Sequence, residues 1–376
     1  MKLLDSSSAR EPGLDLMRAI AILWVMLWHV HWVLHLSLLS GAGNYGWMGV
    51  DVFFVLSGYL IGSQLLRPYT RGSHLSLGGF YLRRAFRVLP AYLTVLLLYF
   101  AVPGFREAPH ISPVWQFLTF TENFRIDYLH DQAFSHVWSL CVEEHFYLVL
   151  PLLVLLLMRR PGFYRTVAVI LGFFCFGIAI RYYIFLHSVK PLTEDAFVLA
   201  YVEKIYFPTY TRLDGLLVGV TLATIKTFRP QWWQRVLAHG YILLVSGLGF
   251  CAWAMWLFRD RLAFSGAVWG YPLLAIGLGL LIASSIAPFS PLSKVRGFGL
   301  IATLAYSLYL THKEIMHFDH VFLQRYVESG GWLALFIYFV TSFIAAALLY
   351  LAVERPFLRL REKIALAPSQ VRAETA

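Results

Sequence analysis

The chain has 376 residues, 59% of them hydrophobic and only 14% charged, where a soluble globular protein carries about 25% charge. Its formal net charge is +10, but the basic residues collect in short loops between long apolar blocks, so the charge belongs to a membrane surface and nucleic acid is not an expected partner. Cys141, Cys175 and Cys251 lie inside apolar blocks with no disulfide or metal spacing, and neither a disulfide framework nor a metal centre is expected.

The polar lead MKLLDSSSAREPG is followed by an apolar run too long for a signal core, so no cleaved signal peptide is expected. The apolar stretches predict about ten membrane crossings, near 15–36, 47–66, 88–102, 137–158, 165–186, 206–227, 239–258, 266–287, 299–318 and 332–353. The expected fold is an all-α integral membrane bundle at 13–357, with an N-terminal tail at 1–12 and a short, mobile, charged tail at 358–376. Arginines and lysines concentrate in alternate loops, which predicts that both termini are cytoplasmic.

The first crossing carries Arg18 and His29 eleven residues apart in LDLMRAIAILWVMLWHVHWVL. At about 100° per residue they share one helix face, about 16 Å apart along the axis. Ionisable groups at that depth cost roughly 2.5–3.5 kcal/mol each on insertion scales, so the pair is expected to face protein rather than lipid. His31 and His35 lie on other faces and read as packing residues. The second crossing has Asp51 near its outer end and a break expected at Ser57-Gly58. The third looks short and is preceded by FYLRRAFRVLPAY, where Arg83, Arg84 and Arg87 fall at i, i+3 and i, i+4 spacing. Arginine forks there suit the phosphates of a cytoplasmic ligand.

The fourth crossing descends from FSHVWSL and carries Glu143 and Glu144 about 10 Å below its outer end. Arg212 and Asp214 on the sixth, and His312 and Lys313 on the ninth, are expected at a similar depth. Acids and bases from five helices thus converge on one outer layer, as a reactive site would require.

These elements resemble, in order, the motifs of the membrane acyltransferase-3 family, the bacterial O-acyltransferases of surface polysaccharides and other extracytoplasmic glycans. The resemblance runs from Gly13 to about Phe357. It rests on the Arg18-to-His29 spacing, GVDVFFVLSGYLI at 49–61, FYLRRAFRVLPAY at 80–92, HVWSLCVEEHFY at 136–147, TRLDGLLVG, YSLYLTHKE and Glu354-Arg355-Pro356. His145 and Lys313 depart from the residues usual in the family. The family's fused SGNH-type domain has no counterpart here, so the membrane domain is expected to act alone or with a separate extracytoplasmic partner.

The resemblance implies acyl-CoA, most often acetyl-CoA, as co-substrate, with no permanently bound cofactor, and a glycan hydroxyl as acceptor across the cytoplasmic membrane. An alcohol attacking a thioester needs a base, and an imidazole titrates near neutrality. His29 is the candidate, as general base or as a transient acyl carrier, with Glu143 or Asp51 as the carboxylate that orients it. Arg18, Arg83, Arg84, Arg87 and Ser57 are expected on the donor side. Glu144, Tyr147, Arg212, Asp214 and His312 are expected to line the site. A secondary transporter with an intramembrane acid and histidine relay is the alternative, although no internal duplication accompanies it.

Overall fold

A computed structural model describes residues 11–34, 40–70, 72–73, 75–327 and 331–374. His35 and Arg71 lie outside the described residues. Among those described there is no sheet, and Ile111 and Ala133 form an isolated bridge. The principal helices are α1 (Pro12–Leu34), α2 (Gly49–Thr70), α3 (Leu77–Ala101), α4 (Trp138–Met158), α5 (Phe163–Ile184), α6 (Asp214–Phe228), α7 (Gly240–Leu257), α8 (Tyr271–Ile286), α9 (Gly299–Phe322), α10 (Gly331–Leu349) and α11 (Arg355–Glu374).

Among the described residues, 8 helical segments are long and apolar enough to cross a membrane. The other two crossings expected, at 206–227 and 299–318, fall on α6 and α9. Helix α6 has only 15 residues, while α9 carries His312, Lys313, Glu314, His317, Asp319 and His320 on a 24-residue helix. Both sit inside the bundle: α6 packs against α2, α5 and α8, and α9 against α1 and α10. Helices α7 and α10 present Val245, Leu248, Trp253, Leu333, Phe336 and Leu348 outward, a surface that hydrocarbon solvates as readily as a protein core does.

The break expected at Ser57-Gly58 is absent, and α2 runs through it for 22 residues. A Cβ on Gly58 would stand 2.1 Å from the Leu216 carbonyl oxygen, and one on Gly219 2.3 Å from that of Val55. These glycines let α2 and α6 touch backbone to backbone, a packing device of membrane helices rather than a kink. The third crossing is also longer than its apolar stretch. Helix α3 has 25 residues and starts at Leu77, where the Ser76 hydroxyl accepts a hydrogen bond from the Gly79 amide at 3.2 Å, so the arginine segment and the membrane segment are one helix.

The tail after Phe357 is helical as far as Glu374. Phe357, Leu360 and Ile364 recur at helical spacing, Phe357 lies 6.3 Å from the Phe86 ring, and α11 packs on α3. Between α3 and α4, residues 103–135 fold as a cap of short helices. Tyr92 donates to the Phe117 carbonyl at 3.0 Å, and Asn123 donates to the Phe207 carbonyl and to Thr209. Glu122 is fully buried under this cap with neither carboxylate oxygen partnered, and that burial pushes its carboxyl well above the usual range.

Candidate active site

Two of the acids singled out in the sequence are closed into ion pairs. Arg212 donates to Asp51 at 2.8 Å and to the Tyr206 carbonyl at 3.0 Å. Its guanidinium lies over the rings of Tyr271 and Tyr206, at 4.3 and 4.7 Å. Arg181, a residue without any motif, grips Asp214 with both terminal nitrogens, at 2.6 and 2.9 Å, and donates to the Thr211 carbonyl. All four residues are buried. With both members of each pair engaged, these groups lock α2, α5 and α6 together and have little left to offer a substrate.

The histidines are arranged differently. His312 Nδ1 lies 3.0 Å from the carbonyls of both Leu308 and Tyr309. A carbonyl only accepts, so Nδ1 carries the proton and Nε2 the lone pair. That Nε2 stands 3.1 Å from His29 Nδ1, which also faces the Val25 carbonyl at 3.0 Å. Either contact places the His29 hydrogen on Nδ1. His29 Nε2 is therefore the unprotonated nitrogen, with a lone pair available to a reactant.

His29 forms part of the wall of a cavity of about 1030 Å³. His136, whose ring centroid is 5.3 Å from that of His312, lines the same space, as do Tyr309, Lys313 and the aromatic residues Trp47, Trp138 and Tyr206. Tyr309 ties the floor together by donating to the His136 carbonyl and pairing with the Ser139 hydroxyl. At the rim, Lys313 pairs with Glu107 at 2.8 Å, and Glu107 also accepts from Tyr99 and from the Phe134 amide. Ligand atoms of Glu107, His136 and Glu314 lie within 4.8 Å of one another, the only such group among the described residues with the makings of a cation site. Lys313 already supplies a positive charge there.

Further from the cavity is a second polar group. Glu143 accepts from Ser57 at 2.8 Å and from Tyr147 at 2.9 Å, while the Arg84 guanidinium lies over the Tyr147 ring at 4.0 Å. Next along α3, Arg87 pairs with Glu354, which also accepts from Ser307 at 2.8 Å. Glu354 sits in a wide π-type turn at Tyr350–Glu354, which breaks the α-helical register. Arg83 is exposed, and Arg18 is ion-paired with Asp15 at 2.9 Å.

The single layer of acids and bases is thus divided into three groups. His29 and His312, expected only at a similar depth, are in direct contact. The carboxylate expected to orient His29 is absent: Asp51 is committed to Arg212, and Glu143 to Ser57 and Tyr147. Glu143, Tyr147 and Ser57 join Arg84, so the outer acid and the inner arginine form one group, because α4 carries Tyr147 down to the level of α3. Glu144 makes no hydrogen bond among the described residues, and Asp214 and Arg212 serve the scaffold. His145, one departure from the family pattern, bonds Thr209 at 2.7 Å and stacks on Phe124. His136 and Tyr309 were missed as site residues although both lie in quoted motifs. Arg261, in the α7–α8 connection, carries no motif at all.

Residues 11–351 match the family description of an acyltransferase domain. A protein of Staphylococcus aureus (strain COL) that carries an O-acetyltransferase name is 29% identical over 371 residues, covering 92% of this chain and 57% of the relative. The O-acetyltransferase OatA of Staphylococcus aureus (strain NCTC 8325 / PS 47) is 29% identical over 364 residues, covering 89% of this chain and 54% of OatA. The chain spans about half the length of these relatives. No solved structure matches it.

Proposed function

The chain belongs to the acyltransferase family that this domain defines, and from that premise we propose that it moves an acetyl group from cytoplasmic acetyl-CoA to a hydroxyl of a glycan outside the cytoplasmic membrane. The observation that carries the reading is the unprotonated Nε2 of His29 on the wall of an aromatic-lined cavity. This nitrogen takes the proton of an acceptor hydroxyl as the oxygen attacks the thioester carbonyl. Collapse of the tetrahedral intermediate expels the CoA thiolate, which recovers that proton, so an ester and free CoA are the products. His312 Nε2 accepts from His29 Nδ1 and holds the ring in the tautomer that this step needs.

On the donor side, Arg84 and Arg83 supply guanidinium forks for the phosphates of CoA. Tyr147, Glu143 and Ser57, followed by Ser139 and Tyr309, form a file of polar groups between Arg84 and the histidines. It offers hydrogen-bonding partners to the amides of the pantetheine arm within an apolar bundle. Acetyl-CoA enters as a co-substrate.

Labelled acetyl-CoA added to inside-out vesicles tests the reading. Label is expected in a lumenal glycan, whereas uptake of intact solute without label transfer would mark a transporter and overturn it. Cysteine labelling tests the sidedness: position 84 is expected to react from the cytoplasm and the 103–135 cap from outside.

A further inference from the structure

Arg261 is a cation left without an ion pair among the described residues. The buried centre around it holds two carboxylates, Asp51 and Asp214, each closed by its own arginine. Arg261 makes it three guanidinium groups to two acids, and it has neither an ion pair nor a hydrogen bond among the described residues; its Nε is buried without a partner. The guanidinium is fixed in place by aromatic faces, Tyr206 at 4.1 Å and Trp47 at 4.4 Å. Cation–π contact holds such a group but leaves its N–H donors unused.

Arg261 lines the cavity that holds His29, and the exposed Arg259 lines the same wall. Glu107 is the one carboxylate among the described lining residues, and Lys313, Tyr99 and the Phe134 amide already occupy it. The cavity therefore has positive charge to spare and flat aromatic walls. Arg261 is half-buried with its Nε shut off from water, and withdrawing a guanidinium even part-way from water without a counter-ion carries a cost that is recovered when a ligand brings the missing anion.

We propose that Arg261 binds an oxyanion on the acceptor, so that the acceptor is an acidic glycan carrying a carboxylate or a phosphate. This rests on the acyl-transfer reading, since it names the substrate class of that same cavity. Trp47 and Tyr206 hold the guanidinium fork flat while a sugar ring packs on the remaining aromatic wall, and the bound anion sets which hydroxyl reaches His29.

Binding can be read without an acyl donor, using the tryptophan fluorescence of the detergent-purified chain with three probes: maltotriose, trigalacturonate and singly phosphorylated maltotriose. At least one acidic probe is expected to bind about tenfold more tightly than maltotriose, and the tighter of the two identifies the oxyanion as carboxylate or phosphate. Arg261→Gln is expected to bring the acidic and neutral probes within about threefold of each other and to leave CoA binding unchanged. Should that variant fail to fold, Arg261→Lys carries the test, because it keeps the charge but loses the fork, and the preference should fall at least about threefold. Equal binding of all three probes by the unaltered protein, or a preference that survives loss of the guanidinium, overturns the proposal. If the preference holds but label from acetyl-CoA reaches no glycan, the acyl-transfer reading fails while the anion site stands.

Discussion

The Asp51–Arg212 and Arg181–Asp214 pairs and the His29–His312 pair look alike in the sequence, as ionisable residues inside apolar helices, yet they do opposite work. In the first two, every charge has its counter-charge within 2.9 Å and aromatic rings close over the arginines. In the third, a hydrogen-bond chain anchored on backbone carbonyls ends in one nitrogen with nothing attached, beside a cavity. Charges closed by counter-charges make a scaffold, and reactivity requires a valence left open where a substrate can reach it.

Removing the open nitrogen should have the largest effect. His29→Ala is expected to lower turnover by about 10²–10⁴, the usual contribution of a positioned base, with unchanged yield and thermal stability. Turnover near the unaltered level in that variant would put the chemistry elsewhere. His31→Ala is expected to be nearly silent.

Breaking a closed pair should do the reverse. Asp214→Asn leaves Arg181 buried without its bidentate partner and is expected to cost about 3–5 kcal/mol of stability. The surviving folded fraction should still bind CoA. A variant with normal stability and no turnover would move Asp214 out of the scaffold and into the site.

The arginine group sharpens the comparison, being neither closed nor at the cavity. Because Arg84, Tyr147 and Glu143 form one group, Arg84→Gln and Glu143→Gln are expected to share a signature: donor KM up about tenfold, a loss of about 1.4 kcal/mol, with saturated turnover changed much less. A fall in kcat without a change in CoA affinity for Glu143→Gln would instead return that carboxylate to the histidines.

The smallest effect concerns Glu122, whose burial raises its folded pKa above the unfolded value near 4.3. Its favourable contribution is complete below the unfolded pKa and is lost as pH rises through the raised folded one. Glu122→Gln is neutral at every pH, so the apparent melting temperature is expected to rise by about 2 °C at pH 8 and hardly at all at pH 4. Equal shifts at both pH values would mean that the carboxyl is not titrating in this way.

The amino-acid sequence alone determined that this is a helical membrane protein of the acyltransferase family, because apolar length and ordered motifs are local properties of a chain. It also put His29 and His312 at a similar depth, since depth along two helices follows from residue count and a rise of about 1.5 Å, but their contact belongs to the tertiary structure. Depth carries no information about azimuth, and for that reason Glu143 was expected beside His29 although α4 turns it toward Ser57 and Arg84. Arg181 and Arg261 were illegible for a related reason: one closes an ion pair and the other lacks one, and both facts depend on which helices are neighbours. The free nitrogen on His29 is a tertiary property as well, because it exists only where Leu308, Tyr309 and Val25 present their carbonyls to two facing rings.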